Sequence, residues 1–380
     1  MRARDAFLGS ALVAAAFAAC DGGSTTPTDA GPDVIAEAAP PIDALDEPIT
    51  DAAPEADGEA SVPCGDITTV WTYDLPQDLA CVGLYTNLQN KTVDPSALPY
   101  TPGLILWSDG AAKQRWIYLP PSTKIDDTDL DEWVFPVGTK VWKEFKVDGA
   151  RVETRMFTKA QDGSWLWATY QWNSAETDAV RNDNGATNLG DAGTYEIPSH
   201  SKCNQCHQGR NDKLMGVETI ALALPAAQGV TLDWLAKNDK LTSVPSATTA
   251  TLPNDSTTYA AAALGVLHIN CGVSCHSRNA QGYANSTGLY MRLPAAQVLA
   301  GGVVVTSLDT YTTSANVVPT LPQYQTYAQQ GFKRLDPGSS ATSLIPTIAN
   351  IRGAGQMPPI ATHVVDTAGV TALTTWIDAL

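Results

Sequence analysis

The chain has 380 residues, a formal net charge of −17 at pH 7 and seven cysteines. That length allows two domains, and an acidic balance without a basic stripe excludes nucleic-acid binding. The charge is unevenly placed: residues 21–62 hold eleven Asp or Glu and no Lys or Arg, the leader carries +1, and −7 remains for residues 63–380.

At the start of the chain Arg2 and Arg4 precede an unbroken run of small and apolar residues over 6–19. The run is too short to span a bilayer comfortably and predicts a secretory signal over residues 1–19. It ends Phe17-Ala18-Ala19-Cys20, similar to a bacterial lipobox with Phe where Leu is more usual. Cleavage before Cys20 and lipid attachment to its sulfur are expected; ordinary signal cleavage nearby is the alternative. Residues 20–62 are acidic and rich in Pro and Ala, cannot bury a core, and read as a disordered tether. The expectation is an exported protein of the periplasm or cell envelope, held at a membrane through its lipid.

Residues 63–197 read as β-rich. Cys64 and Cys81 flank one short segment and are expected to pair in a disulfide, which export permits. KVWKEFKV (140–147), ARVETRMFTK (150–159) and SWLWATYQW (164–172) are separated by Asp148-Gly149 and Asp162-Gly163, strong hairpin signals between alternating runs. In the middle strand Val152, Thr154 and Met156 share one face, and Arg151, Glu153 and Arg155 the other. With LILW (104–107) and QRWIYLP (114–120) upstream, an antiparallel β-sandwich-like domain is expected. Seven of the ten tryptophans lie between Trp107 and Trp172. They read as core and rim of this domain, with a sugar-binding platform as the alternative. DDTDLDE (126–132) lacks the glycine and distal glutamate of a calcium loop and reads as a solvated turn.

After Pro198 the pattern turns helical, and residues 198–380 are expected to form an all-α, cytochrome c-like domain. KCNQCHQG places Cys203, Cys206 and His207 in C-x-x-C-H spacing. In that spacing two thiols add to the two haem vinyl groups and the adjacent His ligates the iron. A thioredoxin-like pair would want a βαβ context, a zinc site two further ligands, and a disulfide no histidine. NCGVSCHSRNAQ (270–281) repeats the parts with one extra residue: Cys271, Cys275 and His276. An outward bulge would let both sulfurs still reach a porphyrin; a strained disulfide beside a surface histidine is the alternative. A helix over YAAAALGVLHIN (259–270) precedes this cluster. Downstream, Met357 stands before Pro358-Pro359, whose rigid backbone suits holding a thioether against iron. A final helix over 366–380 puts Val370, Leu373, Ile377 and Leu380 on one face. Helix, Cys–His attachment, long loops, Met-Pro-Pro and terminal helix resemble class I cytochrome c in order. The first cluster has no evident second axial ligand; His200, Met215 and His268 are candidates. Should Met357 not ligate, His363 is next.

The stretches LWSDGAAKQRWIYLP, FPVGTKVWKEF, RVETRMFTK and IPSHSKCNQCHQG together resemble the exported bacterial SO2930-type dihaem c-type cytochromes, over roughly residues 80–380. The resemblance implies a β domain fused to a cytochrome c domain with covalent haem as cofactor. It implies attachment at Cys203 and Cys206 with His207, and at Cys271 and Cys275 with His276, and Met357 as the cytochrome methionine. The extra residue in the second cluster is a departure from the pattern. The function so expected is electron transfer by an exported dihaem cytochrome with an unidentified redox partner protein. A dihaem peroxidase-like oxidoreductase and a haem-free surface polysaccharide-binding module are the alternatives.

Overall fold

Alternating side chains and tight turns build the centre of the molecule. In the computed structural model, which describes residues 62–380, Asp148 and Gly149 both have positive φ (51° and 85°). A two-residue hairpin turn of matching twist requires this. The turn joins β3 (Lys140–Val147) to β4 (Ala150–Lys159) in a seven-stranded antiparallel sheet. The sheet also holds β1 (Leu98–Thr101), β2 (Ala112–Tyr118), β5 (Trp165–Trp172), β6 (Ala179–Arg181) and β7 (Gln228–Gly229), in the order β7-β1-β2-β3-β4-β5-β6. The expected leader, Cys20 and, apart from Val62, the acidic tether lie outside the described residues. Among the described residues no helix is long and apolar enough to cross a membrane.

Each face of the sheet supports its own core. On one, Trp116, Trp142, Met156 and Tyr170 pack against Trp71, Leu75, Leu79 and Val82 of the preceding segment. Cys64 and Cys81 close that segment in a disulfide, Cα atoms 4.4 Å apart. On the other face, the register sets Ile117, Val141, Phe157 and Trp167 in a row across four strands. The next row is Arg115, Lys143 and Arg155.

The second half of the chain covers this other face, which corrects the expected architecture. There is no separate all-α cytochrome domain after residue 198, and the first half is not a sandwich of two large sheets. The described residues hold one seven-stranded sheet and two two-stranded ribbons, Tyr85–Asn87 with Thr92–Val93 and Ala186–Leu189 with Tyr195–Ile197. Only α1 (His200–His207), α2 (Ala260–Leu267) and α3 (Thr367–Ala379) exceed six residues among the described helices. Such short helices do not stand alone in water. They bury themselves on the sheet: Ile117, Phe157 and Trp165 share one continuous core with Leu264, Leu267, Leu373 and Trp376. Strand β7, from the second half, pairs with β1. The described residues form one compact unit.

Residues 126–132 are a turn with Asp126, Thr128 and Asp129 exposed, as expected, but its other acids form a seam between the halves. Asp127 is buried and accepts from the Ser243 amide at 2.7 Å, while Glu132 pairs with Arg292 and accepts from the Asn211 amide at 2.9 Å. Of the seven tryptophans between Trp107 and Trp172, Trp116, Trp133, Trp142, Trp165 and Trp172 are buried. Trp107 and Trp167 line cavities instead.

Candidate functional site

Helix α1 carries the first cluster and lies on the sheet. The His207 ring stacks on Phe157, centroids 4.2 Å apart, and the His200 ring on Trp167 at 5.1 Å. The His207 Nδ1 is 2.7 Å from the Lys213 carbonyl oxygen. A carbonyl only accepts, so Nδ1 carries the hydrogen and Nε2 is left with a lone pair. Burial pushes the imidazole pKa down to about 4, which keeps the ring neutral. Cys203 and Cys206 are not bonded to each other. Burial raises both thiols, Cys206 to about 11 with Cys275 contributing next, the opposite of the acidic thiol in a redox C-x-x-C pair.

The second cluster answers how one extra residue is absorbed. Helix α2 widens into a π-turn over His268–Gly272. The Val273 amide donates to the His268 carbonyl and the His276 amide to the Cys271 carbonyl, each 2.8 Å and five residues back. In a regular α-helix that bond spans four residues, which is the separation of Cys203 and His207. The wider turn takes up the additional residue, a common use of such turns at functional sites. Gly272 is needed here: a Cβ would lie 2.4 Å from the backbone of Met291 and Arg292. The His276 Nδ1 faces the Leu289 carbonyl at 3.2 Å, so this ring has the same tautomer, and burial again pushes its pKa down to about 4. Burial raises Cys271 to about 12.

Cys271, Cys275, His276 and Met357 line one cavity of about 350 Å³. Helices α2 and α3 wall it through Val266, Leu267, Val370 and Leu373. Met357 packs on Tyr324, Leu344 and Ile348. Its loop is tied at several points. The Met357 amide donates to the Ile348 carbonyl at 2.9 Å, and the Gln356 side-chain amide donates to the Pro358 and Thr362 carbonyls at 2.9 and 2.8 Å. Farther along, the His363 and Val364 amides donate to the Asp109 carboxylate at 3.0 and 2.9 Å, and the Trp107 indole to the Val364 carbonyl at 2.9 Å. The LWSDG stretch of the first half thus clamps the methionine loop of the second. His363 lines neither this cavity nor the next; its Nε2 lies 2.7 Å from Glu196.

Cys203, Cys206 and His207 line a second cavity of about 180 Å³, and the two adjoin. Trp107, Asn270, Cys275, Pro358 and Pro359 line both. The loops of the two clusters meet backbone to backbone: a Cβ on Gly209 would lie 1.7 Å from the Ser274 carbonyl oxygen. Of the three candidate further ligands for the first cluster, Met215 lines this cavity. His268 is fully buried elsewhere, its Nδ1 accepting from the Leu293 amide at 3.0 Å and its Nε2 facing Glu218 at 3.6 Å. His200 is on Trp167, 3.7 Å from Asp183. The same cavity exposes what sequence reasoning passed over: Arg115, Lys143 and Arg155 line it. The signal was available in part, as charged residues alternating on one face of three successive strands.

The donors present fit covalently attached haem at both places: paired thiols, a neutral imidazole with Nε2 free, and cavity walls that are largely apolar. Among the described residues no three His, Cys, Asp or Glu side chains converge as ligands for a bare metal ion. No protein-family model, curated protein or solved structure matches the chain.

Proposed function

We propose that the protein is a dihaem c-type cytochrome that carries electrons in the bacterial cell envelope, exported by its leader and anchored through Cys20. One observation carries this reading. Two Cys–His clusters more than sixty residues apart in sequence come to adjoining cavities with a shared wall of Trp107, Asn270 and Cys275. Neither a pair of disulfides nor an isolated thiol requires that placement. Bound haem would supply the one-electron couple of its iron. The chain supplies the rest: Cys203 and Cys206, and Cys271 and Cys275, hold each group; His207 and His276 offer Nε2; Met357 offers its thioether to the second. A second site saturated by His276 and Met357 favours electron transfer over peroxide chemistry, and buried or cavity-lining tryptophans give no platform for a polysaccharide.

The test is intact mass spectrometry, with a pyridine haemochrome assay, of protein matured in a host that assembles c-type cytochromes. Two covalent haems are expected. Protein that folds there with none overturns the proposal.

A further inference from the structure

Arg115 and Lys143 are directly opposed on β2 and β3, and Lys143 and Arg155 on β3 and β4. Like charges directly opposite one another destabilise a sheet. Arg155 is compensated, its guanidinium bonded to both Glu153 carboxylate oxygens at 2.6 and 2.7 Å. Arg115 and Lys143 are not: among the described residues neither has a hydrogen-bond or ion-pair partner. Arg115 is only 6 % exposed, and the Lys143 ammonium lies over the face of Phe145, 4.7 Å from the ring centre. The anionic side chain on the cavity wall, Glu196, already pairs with Lys202 and His363. Arg115 is buried and Lys143 half-buried, and a cation withdrawn from water without a counter-charge is costly, the more so beside another.

The row also has a direction. Arg155 lines the cavity with Cys203, Cys206 and His207, and stands two residues along β4 from Phe157, on which the His207 ring stacks. Arg115 lies two strands away, roughly 10 Å at two strand spacings. The register of β1 on β2 carries Tyr100 alongside Arg115, and Tyr100 lines the same cavity, buried, with no hydrogen-bond partner for its hydroxyl among the described residues. The uncompensated donors therefore begin one strand from β4, where the His207 ring rests, and run away from it along the sheet. A haem fixed to Cys203 and Cys206 by its vinyl edge presents two carboxylates from its opposite edge. Two unpaired positive charges match two negative ones.

We infer that Arg115, Lys143 and the Tyr100 hydroxyl form an oxyanion-binding floor for the first cavity, built to take the propionate carboxylates of the haem held at Cys203, Cys206 and His207. The inference rests on the dihaem reading above. A free oxyanion such as phosphate shares the same chemistry and is the competing source.

Arg115→Gln, Lys143→Gln and Arg115→Lys, each made in the full chain and matured with haem, test it. Covalent haem is counted by mass, and the two midpoints are resolved by spectroelectrochemistry. Both haems should remain attached in all three. In the two Gln variants the midpoint of the first haem, the wave that Met357→Ala does not move, should shift to lower potential, because unneutralised carboxylates favour oxidised iron. Arg115→Lys should restore most of the shift, which a merely structural role would not explain. An unmoved midpoint in both Gln variants overturns the inference. So does a phosphate-dependent rise in the wild-type holoprotein's Tm that Arg115→Gln abolishes, since the floor would then be open to free anions. A wild type lacking haem at Cys203 and Cys206 overturns the reading of the site itself, and the mass distinguishes that result. Should Arg115→Gln fail to mature, Lys143→Gln and Arg115→Lys carry the comparison.

Discussion

The two cavities hold the same donor set in unlike surroundings. The second is enclosed by helices α2 and α3 and by the methionine loop; its wall is mainly apolar, and the two arginines on it, Arg334 and Arg352, donate to backbone carbonyls. The first rests on a sheet face with a row of cations, and no histidine other than His207 reaches it. One chain thus builds one site whose cations are taken up by backbone carbonyls and one whose floor carries cations without partners. Axial ligand and local charge are separate levers on a haem potential. The comparison therefore expects two distinguishable redox centres, not two copies of one, and substitutions can separate them.

The largest effect should come from Cys203→Ala combined with Cys206→Ala. The variant should lose one of two covalent haems by mass while the spectrum of the second survives, because thiols and proximal histidines are separate. Loss of both with the fold intact would show one joint site. Next, Met357→Ala should leave both haems attached, since Cys271, Cys275 and His276 are untouched. It should open the sixth position of the second, lower that midpoint and admit cyanide or carbon monoxide. The oxidised wild type should show the weak near-infrared band of methionine-ligated iron and the variant should not. A wild type without the band would mean that Met357 is not the ligand.

Gly209→Ala addresses the seam between the two cavities. The added methyl meets a backbone carbonyl at 1.7 Å, and backbone cannot swing aside as a side chain can. A cost of about 3 kcal/mol is expected, read as a lower Tm of the holoprotein by calorimetry. An unchanged Tm would mean that the Gly209–Ser274 approach is not close in solution.

Local chemistry made parts of this arrangement readable. Asp148-Gly149 announces the β3–β4 turn, and C-x-x-C-H announces the first cluster with its spacing. The pairing of Cys64 with Cys81 needed only proximity along the chain. What escaped was non-local. No sequence signal near Gln228–Gly229 says that it pairs with Tyr100–Thr101, and that pairing helps merge the halves. The alternation in β4 predicts Arg151 on the face of Glu153 and Arg155, but the register shifts between Phe145 and Lys146, which sets Arg151 beside Glu144 on the opposite face and packs Val152 with Phe145 and Tyr195. Glu153 and Arg155 do share a face, and the Tyr195 hydroxyl donates to Glu153 there. His268 looked available from its position in the chain; only the fold shows it buried away from the first cavity, with Nδ1 taken by the Leu293 amide and Nε2 3.6 Å from Glu218. The extra residue of the second cluster was anticipated as a bulge, and its form as a π-turn depends on bonds that spacing alone does not specify.

The smallest effect, and the one that tests how the first half of the chain serves the second cavity, is expected of Asp109→Asn. Asp109 has a φ of 51°, a left-handed conformation that Asn adopts as readily as Asp, so this substitution leaves the backbone preference unchanged. What it removes is acceptor capacity. The Asp109 carboxylate receives the His363 amide on both oxygens and the Val364 amide on one. An Asn side chain offers a single acceptor oxygen, and its NH₂ group would face an N–H. Hydrogen bonds to a charged group contribute about 1.5–3 kcal/mol, so replacing part of this set should weaken the clamp by about 1 kcal/mol. Trp107 and Arg352 still hold the Val364 carbonyl, so the loop should stay closed at low temperature. Six residues upstream Met357 should then leave the iron more often. The near-infrared band should be present in the variant at low temperature but fade at a lower temperature than in wild type, with the first haem's midpoint unmoved. A band that fades at the same temperature in both proteins would show that Gln356 and the Ile348 carbonyl hold the methionine without help from the sheet, and that the LWSDG stretch acts only in folding.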